Sequence, residues 1–358
     1  MKRTFAGPRR YTQSAGALAL VGDETVQHGS SAFVIADETV WELTAETVKE
    51  SFEATAGTVE RAQFDGECCA AEIDRLTDAA TNAGADVIVG IGGGKVLDTA
   101  KSVATRRELP VGSVPTVASN DSPTSSISII YEDDGTFSTV EQHQQHPAFV
   151  LVDTAIIAAA PTRWFVSGIG DALATWYEAK TTWESGGKTV FDDRPTYAGR
   201  ALARTCHQLL RDHAVGAVRA VESGSVTESV EAVTEAVILL SGLGFENGGL
   251  AAAHAIHDGL TALPETTSAT HGEKVTVGLL AQLLLDGATD ETIDDLISFV
   301  ASVGLPTGLA DLGVTEPSDA ELRAVGRVAT DPDGPMTNMP VDVTPEQIAD
   351  ALRVLDDL

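Results

Sequence analysis

The sequence is poor in basic residues, and above all in lysine. Its 358 residues include 23 lysines and arginines, only seven of them lysines, against 53 aspartates and glutamates, which gives a formal net charge of −30. Since nucleic-acid binding needs clustered basic residues, a nucleic-acid partner is not expected. The acids are spread along the chain and not gathered into a tail for a basic partner. We therefore predict a halophilic protein of a saline cytosol, where salt screens the repulsion between carboxylates.

Cysteine and long apolar runs are also scarce. Cys68 and Cys69 are adjacent and Cys206 is alone, so no metal-site spacing occurs and an intracellular, reduced protein is expected. No stretch reaches the roughly 18 apolar residues of a membrane-spanning helix, so no membrane partner is expected. Arg9-Arg10 is reminiscent of a twin-arginine export signal, but the apolar run that follows is too short for one. A cytoplasmic location is the prediction.

The first 161 residues show the alternation typical of an α/β fold. The length of the chain suits two domains. Apolar β-branched runs alternate with helical spacing, which predicts a parallel sheet covered on both faces. The predicted strands are 31–36, 86–91, 111–114, 126–131, 136–140 and 148–152, with a hairpin turn at 132–135 and helices at 40–56 and 70–84.

After Pro161 the sequence has helical spacing throughout and no convincing strand. Helices are predicted near 163–181, 196–221, 228–244, 249–262, 272–286, 290–303, 318–329 and 345–357. We therefore predict a Rossmann-like, nucleotide-binding α/β domain with a parallel sheet over residues 1–161 and an all-α, metal-binding domain over residues 162–358. A cleft between two such domains is the expected place for a ligand.

Consecutive glycines, Gly92-Gly93-Gly94, join a predicted strand to a helix. They let the backbone approach a pyrophosphate, which the helix N-terminus attracts. The loop matches neither standard pattern, because the dinucleotide motif needs glycine at Lys95 and Walker A needs Ser or Thr at Val96. A tight strand–helix turn is the alternative. Asp37 at an earlier strand end favours the nucleotide, since an acid there holds a ribose diol and repels a 2′-phosphate, which predicts NAD over NADP.

A second loop, residues 115–125, is dense in hydroxyl groups and contains one acid, Asp121. A polar turn held by side-chain–backbone hydrogen bonds would explain it. Its place after a strand, where ligands of open sheets bind, makes it a candidate substrate loop.

Histidine is rare, with eight in the chain, yet three lie between residues 254 and 271. His254 and His257 are one helical turn apart among small residues that leave room for a metal or a substrate. His254, His271 and Asp171 together offer two imidazoles and one carboxylate, a set that leaves one position open as in catalytic zinc sites. Zinc, iron and manganese all suit this set, and a helix cap is the alternative for Asp171.

The remaining residues of this region receive supporting roles. His257 is interpreted as a residue that supports a ligand or faces the substrate. Asp258 is placed to orient an imidazole. The five other histidines lie in polar or amphipathic contexts and are expected to be solvated.

Several stretches, in the right order, resemble the metal-dependent glycerol dehydrogenases of the iron-containing alcohol dehydrogenase superfamily. The similarity runs from about Phe5 to the C-terminus. It implies the dehydroquinate synthase-like fold of that superfamily, a homo-oligomer (an octamer in the family) and, given the acidic surface, a haloarchaeal version. The matching stretches are 90–101, 119–125, 167–176, 241–257 and 270–275.

The resemblance implies reversible oxidation of glycerol to dihydroxyacetone by NAD, assisted by one Zn²⁺ ion per subunit. The zinc ligands, which are also catalytic and substrate-binding residues, are Asp171, His254 and His271, and Asp121 falls on the position that holds a glycerol hydroxyl. The implied NAD contacts are Asp37, Gly94, Lys95, Val96, Leu97, Asp98, Thr116, Val117, Ala118, Ser119, Ser125, Ile127 and Tyr131.

Rival functions remain at this point. An sn-glycerol-1-phosphate dehydrogenase must bind a substrate phosphate, but the Asp121 loop offers an acid there. Another small-diol dehydrogenase of the same superfamily is a further alternative. A catalytically silent metal or nucleotide sensor would bind its ligands without reducing NAD.

Overall fold

The strands of the sheet follow the apolar runs of the sequence. In the computed structural model, which describes residues 2–133, 135–356 and 358, six parallel strands lie in the order β1-β8-β5-β4-β2-β3 and β6 pairs with β7 as an antiparallel hairpin. The strands are β1 Tyr11–Ser14, β2 Ser31–Ala36, β3 Thr58–Gln63, β4 Val87–Gly92, β5 Val111–Pro115, β6 Ile127–Tyr131, β7 Phe137–Gln142 and β8 Phe149–Asp153.

The helices carry most of the chain after residue 153. They are α1 Val21–Thr25, α2 Glu38–Glu53, α3 Ala70–Asn82, α4 Gly94–Arg107, α5 Thr154–Ala159, α6 Thr162–Ser185, α7 Tyr197–Glu222, α8 Glu228–Glu235, α9 Gly242–Gly248, α10 Ala252–Leu260, α11 His271–Leu285, α12 Asp290–Ser302, α13 Asp319–Ala329 and α14 Pro345–Asp356. No strand lies beyond Asp153 in the described part of the chain, and the predicted fold class, a parallel sheet followed by helices, is confirmed.

The central strands bury both faces. Along β2, Val34 packs into one apolar core and Phe33 and Ile35 into a second on the opposite face. Every residue of β4 and of β5 is buried. This is the burial expected of a parallel sheet with helices on both sides, and it explains why these strands read as continuous apolar runs.

The chain divides into two compact units by its contacts. The sheet unit comprises residues 7–161 and 220–234, and the helical unit comprises residues 2–6, 162–219 and the chain from residue 235. Within the sheet unit, Glu231 accepts hydrogen bonds from Gln13 Nε2 and Thr154 Oγ1, both at 2.6 Å. The domain limits 1–161 and 162–358 stay a prediction. No single helix in the described ranges is long and apolar enough to cross a bilayer, although the bent pair Glu228–Gly248 and Ala252–Leu260 meets the length and composition criteria.

Two strands have no counterpart in the predicted pattern, and one predicted helix is interrupted. The missed strands, β1 and β3, are the edges of the sheet and bury too little to need an apolar run. The predicted helix 228–244 contains a π-helical segment, Ala236–Ser241, and extends to Gly248 through α9. The next helix starts at Ala252 and not at 249, because Gly249 has a φ of 96°. Asp134, in the predicted hairpin turn, lies outside the described residues.

Candidate metal centre and cofactor edge

Close contact between α6 and α11 brings the first metal-ligand candidates together. Asp171 lies in the third turn of α6, which begins at Thr162, so the helix-cap alternative for this residue is wrong. A Cβ atom on Gly272 would lie 1.7 Å from Ser167 O, and one on Gly170 would lie 2.5 Å from Gly272 O. Glycine is needed at both positions because the two backbones approach this closely.

Glu178 anchors the third candidate ligand. Its side chain is fully buried and accepts hydrogen bonds from Ala251 N at 2.8 Å, His254 N at 3.0 Å and His254 Nδ1 at 2.6 Å. The carboxylate thus provides an acceptor for backbone N–H groups at the start of α10. Because it also binds Nδ1 of His254, the ring nitrogen that stays free for a metal is Nε2. Glu178 was not among the residues predicted from the sequence. A signal existed, since Glu178 follows Asp171 by seven residues, or two turns on the same helix face.

The free ring nitrogens converge on Asp171. Its Oδ1 lies 3.3 Å from His254 Nε2 and 3.1 Å from His271 Nε2, and atoms of all three residues lie within 4.8 Å of one another. A tetrahedral site with metal–ligand bonds of about 2.0–2.1 Å has ligand–ligand separations of about 3.3 Å. Because the spacing matches and Asp171 is fully buried, the cluster fits a divalent metal ion.

His257 lies behind the cluster and contacts one of its members. His257 Nε2 lies 2.9 Å from His271 Nδ1, and His257 Nδ1 donates to Asp258 Oδ1 at 3.0 Å. Asp258 therefore orients His257, and His257 in turn fixes the ring of His271. This arrangement supports a ligand through its second nitrogen, as metal-bound imidazoles require.

Burial and neighbouring charged groups shift the pKa values of the cluster residues. Burial acts to raise the pKa of Asp171, but the imidazoles of His271 and His254 outweigh it and hold that pKa well below its usual range. Burial opposes protonation of His254, yet the carboxylates of Glu178 and Asp171 raise its pKa well above the ordinary value. Burial and the neighbouring His271 lower the pKa of His257 to about 4. A metal ion bound between Asp171 and His254 would therefore displace a proton.

Several of the predicted nucleotide-binding residues lie at the carboxyl ends of neighbouring strands, which we call the cofactor edge. Asp37, Gly93 and Thr116 follow β2, β4 and β5, which are successive neighbours in the parallel sheet. Ligands of such sheets bind at the carboxyl ends of the strands. Asp37 also caps α2, because its side chain accepts a hydrogen bond from Val40 N at 2.9 Å.

The start of α4 fits a pyrophosphate. Its N-cap is Gly93, which makes no side-chain capping hydrogen bond, so the first backbone N–H groups stay available to an anion. A Cβ on Gly92 would lie 2.8 Å from Val96, and one on Gly94 would lie 3.0 Å from Asn120 Nδ2. Val96 and Leu97 are buried and hold the first turn of α4 in place.

A buried lysine that was not predicted from the sequence contacts several of the predicted NAD-binding residues. Lys101 is 2% exposed and pairs with Asp98 Oδ1 at 2.9 Å. It also donates to Ser122 O at 3.0 Å, Ser125 Oγ at 3.2 Å and Ile127 O at 2.6 Å. The Asp98 carboxylate accepts further hydrogen bonds from Ser122 Oγ and Ile129 N. Lys101 thereby fixes the short 3₁₀ turn that directly follows Asp121.

The remaining predicted contacts border this network. The ammonium of Lys95 lies 2.6 Å from Glu67 Oε2 and 5.3 Å from the ring centroid of Tyr131. The segment from Thr116 to Ser119 leaves β5, and Val117 Cγ2 would lie 3.5 Å from a Cβ on Gly93. All of the predicted NAD contacts lie within the sheet unit, and Lys101 joins Asp98, Ser125 and Ile127 directly.

One expectation about the other histidines is wrong. His143 is 5% exposed rather than solvated, and it lies 2.7 Å from Ser128 Oγ and 2.8 Å from Thr105 Oγ1. Burial and the positive charge of Lys101 lower the pKa of His143 to about 4. Its two hydroxyl partners satisfy a neutral imidazole, and the polar sequence around it gave no sign of this burial.

Comparisons with known proteins agree in family and differ in the named substrate. A family model for iron-containing alcohol dehydrogenase matches residues 8–154. The chain is 44% identical over 358 residues to a glycolaldehyde reductase of Halobacterium salinarum, covering 100% of this chain and 98% of that protein. It is 42% identical over 356 residues to a glycerol dehydrogenase of Escherichia coli, with coverage of 99% and 97%. The solved glycerol dehydrogenase of Schizosaccharomyces pombe superposes with a TM-score of 0.96 at 39% identity, with coverage of 99% and 91%.

Proposed function

Since this chain belongs to the iron-containing alcohol dehydrogenase family, we propose that it is an NAD-dependent oxidoreductase that interconverts glycerol and dihydroxyacetone. The observation that carries the proposal is the convergence of Asp171, His254 and His271 on one point. The full-length similarity to several glycerol dehydrogenases supports the choice of substrate.

Asp171, His254 and His271 would hold a divalent metal ion, which we propose to be zinc. When bound, the ion would supply a Lewis acid that lowers the pKa of an alcohol hydroxyl. With Asp171 as the only carboxylate ligand, the ion and its three ligands would carry one net positive charge, which favours an alkoxide. Glu178 accepts a hydrogen bond from His254 Nδ1 and so keeps the proton on that nitrogen. His257 contacts His271 Nδ1 and so fixes the orientation of that ring.

The edge formed by β2, β4 and β5 would hold NAD, which supplies the hydride acceptor. Asp37 would bind the ribose diol and the first N–H groups of α4 the pyrophosphate. Asp121 would accept a hydrogen bond from a glycerol hydroxyl. The other proposed contacts are the residues of the glycine loop and of the Lys101 network: Gly94, Lys95, Val96, Leu97, Asp98, Thr116, Val117, Ala118, Ser119, Ser125, Ile127 and Tyr131.

Reduction of glycolaldehyde to ethylene glycol is the second candidate function. It is favoured by the 44% identity to a glycolaldehyde reductase from a halophile. The two reactions share a vicinal diol, so the same metal and the same Asp121 carboxylate serve both. An sn-glycerol-1-phosphate substrate fits less well, because Asp121 would repel its phosphate.

The substrate assignment is tested by initial rates on metal-quantified protein in molar KCl. Glycerol with NAD, ethylene glycol with NAD, and dihydroxyacetone phosphate with NADH are compared. We expect the highest kcat/KM with glycerol and negligible turnover of the phosphate. A higher value with ethylene glycol would move the assignment to the second candidate. Binding of NADH without turnover of any substrate would support a sensor and reject the enzyme.

We also propose a homo-oligomer, an octamer by analogy with the family, in the cytoplasm of a high-salt organism. The net charge of −30 supports the saline setting. Multi-angle light scattering in molar KCl measures the assembly, and a monomeric mass would reject it.

A further inference from the structure

The carboxyl end of β2 is bordered by a cation on the neighbouring strand, Arg61 of β3. Arg61 Nη2 donates to Ala36 O at 3.3 Å and to Glu38 Oε2 at 2.9 Å. Ala36 and Glu38 are the two chain neighbours of Asp37, the residue proposed to bind the ribose of NAD. The guanidinium therefore contacts the chain on either side of that carboxylate.

Packing holds this guanidinium in place. The Arg61 side chain is 18% exposed, and its guanidinium carbon lies 5.5 Å from the ring centroid of Trp41 on α2. Its Nε atom is buried and has no hydrogen-bond partner in the described part of the chain. Stacking on an aromatic ring holds the guanidinium in one orientation, and a guanidinium group binds phosphate well.

The charge balance at this site decides what Arg61 can bind. Glu38 pairs with the guanidinium, and Asp37 is the residue directly before Glu38, so the chain at this point carries two carboxylates against the one arginine that contacts it. A 2′-phosphate on the ribose would meet repulsion from Asp37 and would find the arginine already paired. Glu38 lies in the first turn of α2, and its side chain is 56% exposed. A substitution at this position therefore changes the pairing of Arg61 without disturbing a buried side chain.

We propose that Glu38 is a second determinant of dinucleotide choice, which pairs with Arg61 and so withholds a phosphate-binding cation from the ribose 2′ position. The inference rests on the proposed binding of NAD at Asp37. Selectivity for NAD over NADP would then depend on three charged residues, Asp37, Glu38 and Arg61. Glu38 and Arg61 would affect cofactor binding and not the reacting atoms.

The test compares NADPH affinity in two double variants. Asp37→Ser removes the repulsive carboxylate and retains an N-cap for α2, because serine caps helices well. This change is combined with Glu38→Gln in one variant and with Glu42→Gln in the other. Glu42 is exposed one turn later on the same helix, so both double variants lose the same net charge. Dissociation constants for NADPH and NADH are measured by nucleotide fluorescence in low salt and in molar KCl.

We expect Asp37→Ser/Glu38→Gln to bind NADPH about tenfold more tightly than Asp37→Ser/Glu42→Gln, since a charge-assisted arginine–phosphate contact becomes available. The difference should shrink in molar KCl and vanish when Arg61→Met is added. Equal NADPH affinities, or a gain that survives Arg61→Met, would overturn the proposal.

Single variants keep the proposal open to refutation if a double variant does not fold. Glu38→Gln alone should bind NADPH more tightly than Glu42→Gln alone, and equality would count against it. Failure of the unaltered protein to bind NADH would instead reject the proposed function, which separates the two outcomes.

Discussion

At the scale of single residues, the direction of the His254 ring depends on Glu178. The same carboxylate accepts hydrogen bonds from two backbone N–H groups and from the imidazole Nδ1–H. It therefore stabilises the start of α10 and also orients Nε2 of His254 toward Asp171. Removing the negative charge while keeping the shape should therefore weaken metal binding more than folding.

Glu178→Gln should reduce zinc affinity by about 10–100-fold. A glutamine amide matches the shape of the side chain, but its NH2 group would face either the Nδ1–H of His254 or the two backbone N–H groups, so a hydrogen bond that orients the imidazole is lost. Competition with a chromophoric chelator measures the affinity, and Glu184→Gln, an exposed change on the same helix, is the control. Equal zinc affinities for the two variants would show that Glu178 does not position His254 for a metal.

His143 should make folding sensitive to mild acid. Its pKa is lowered to about 4 in the folded protein from an ordinary value of 6.5, so the unfolded chain binds a proton at higher pH than the folded one. The contribution of His143 to the free energy of unfolding is intact above pH 6.5 and is lost as the pH falls from 6.5 toward 4. The loss amounts to about 3 kcal/mol.

Denaturant unfolding between pH 7.5 and pH 5 tests this prediction. The slope of stability against pH should be shallower for His143→Gln than for the unaltered protein. His146→Gln serves as the control for a nearby histidine that is only half-buried. Parallel slopes for all three proteins would mean that His143 does not titrate as described.

At the scale of secondary-structure elements, the metal centre depends on how closely two helices approach. The α6 and α11 backbones meet at Gly170 and Gly272, where a methyl group has no space. Gly272→Ala should cost about 1–3 kcal/mol of stability and should also lower zinc affinity, because the helices must separate between Asp171 and His271. Calorimetry and zinc titration measure both effects, and unchanged values would show that the two helices can yield.

Most helices and central strands could be predicted from the sequence, but the edge strands and the roles of two buried charged residues could not. Central strands such as β4 were predictable because burial on both faces demands an apolar run, whereas the edge strand β3 was not. Asp171 and the two histidines were identified by residue type and by family resemblance. The roles of Glu178 and Lys101 depend on contacts 76 and 26 positions away along the chain, so the seven-residue spacing from Asp171 could point to the position of Glu178 but not to its partner.

At the scale of the whole molecule, acidic charge is the dominant feature. With a net charge of −30, the folded chain repels itself in dilute buffer, and salt should relieve this repulsion. The midpoint of thermal unfolding should rise steeply between dilute and molar KCl. A midpoint independent of KCl would contradict the halophilic character proposed for this protein.

We propose that glycerol oxidation depends on a metal held by Asp171, His254 and His271. The most direct measurement is the initial rate of NAD reduction with glycerol as zinc is added stepwise to metal-free protein in molar KCl. We predict a rate that rises with zinc and saturates at one ion per subunit, while Asp171→Asn and His254→Ala bind no zinc and stay inactive. Full turnover by the metal-free protein, or by either variant, would show that glycerol oxidation does not depend on this metal.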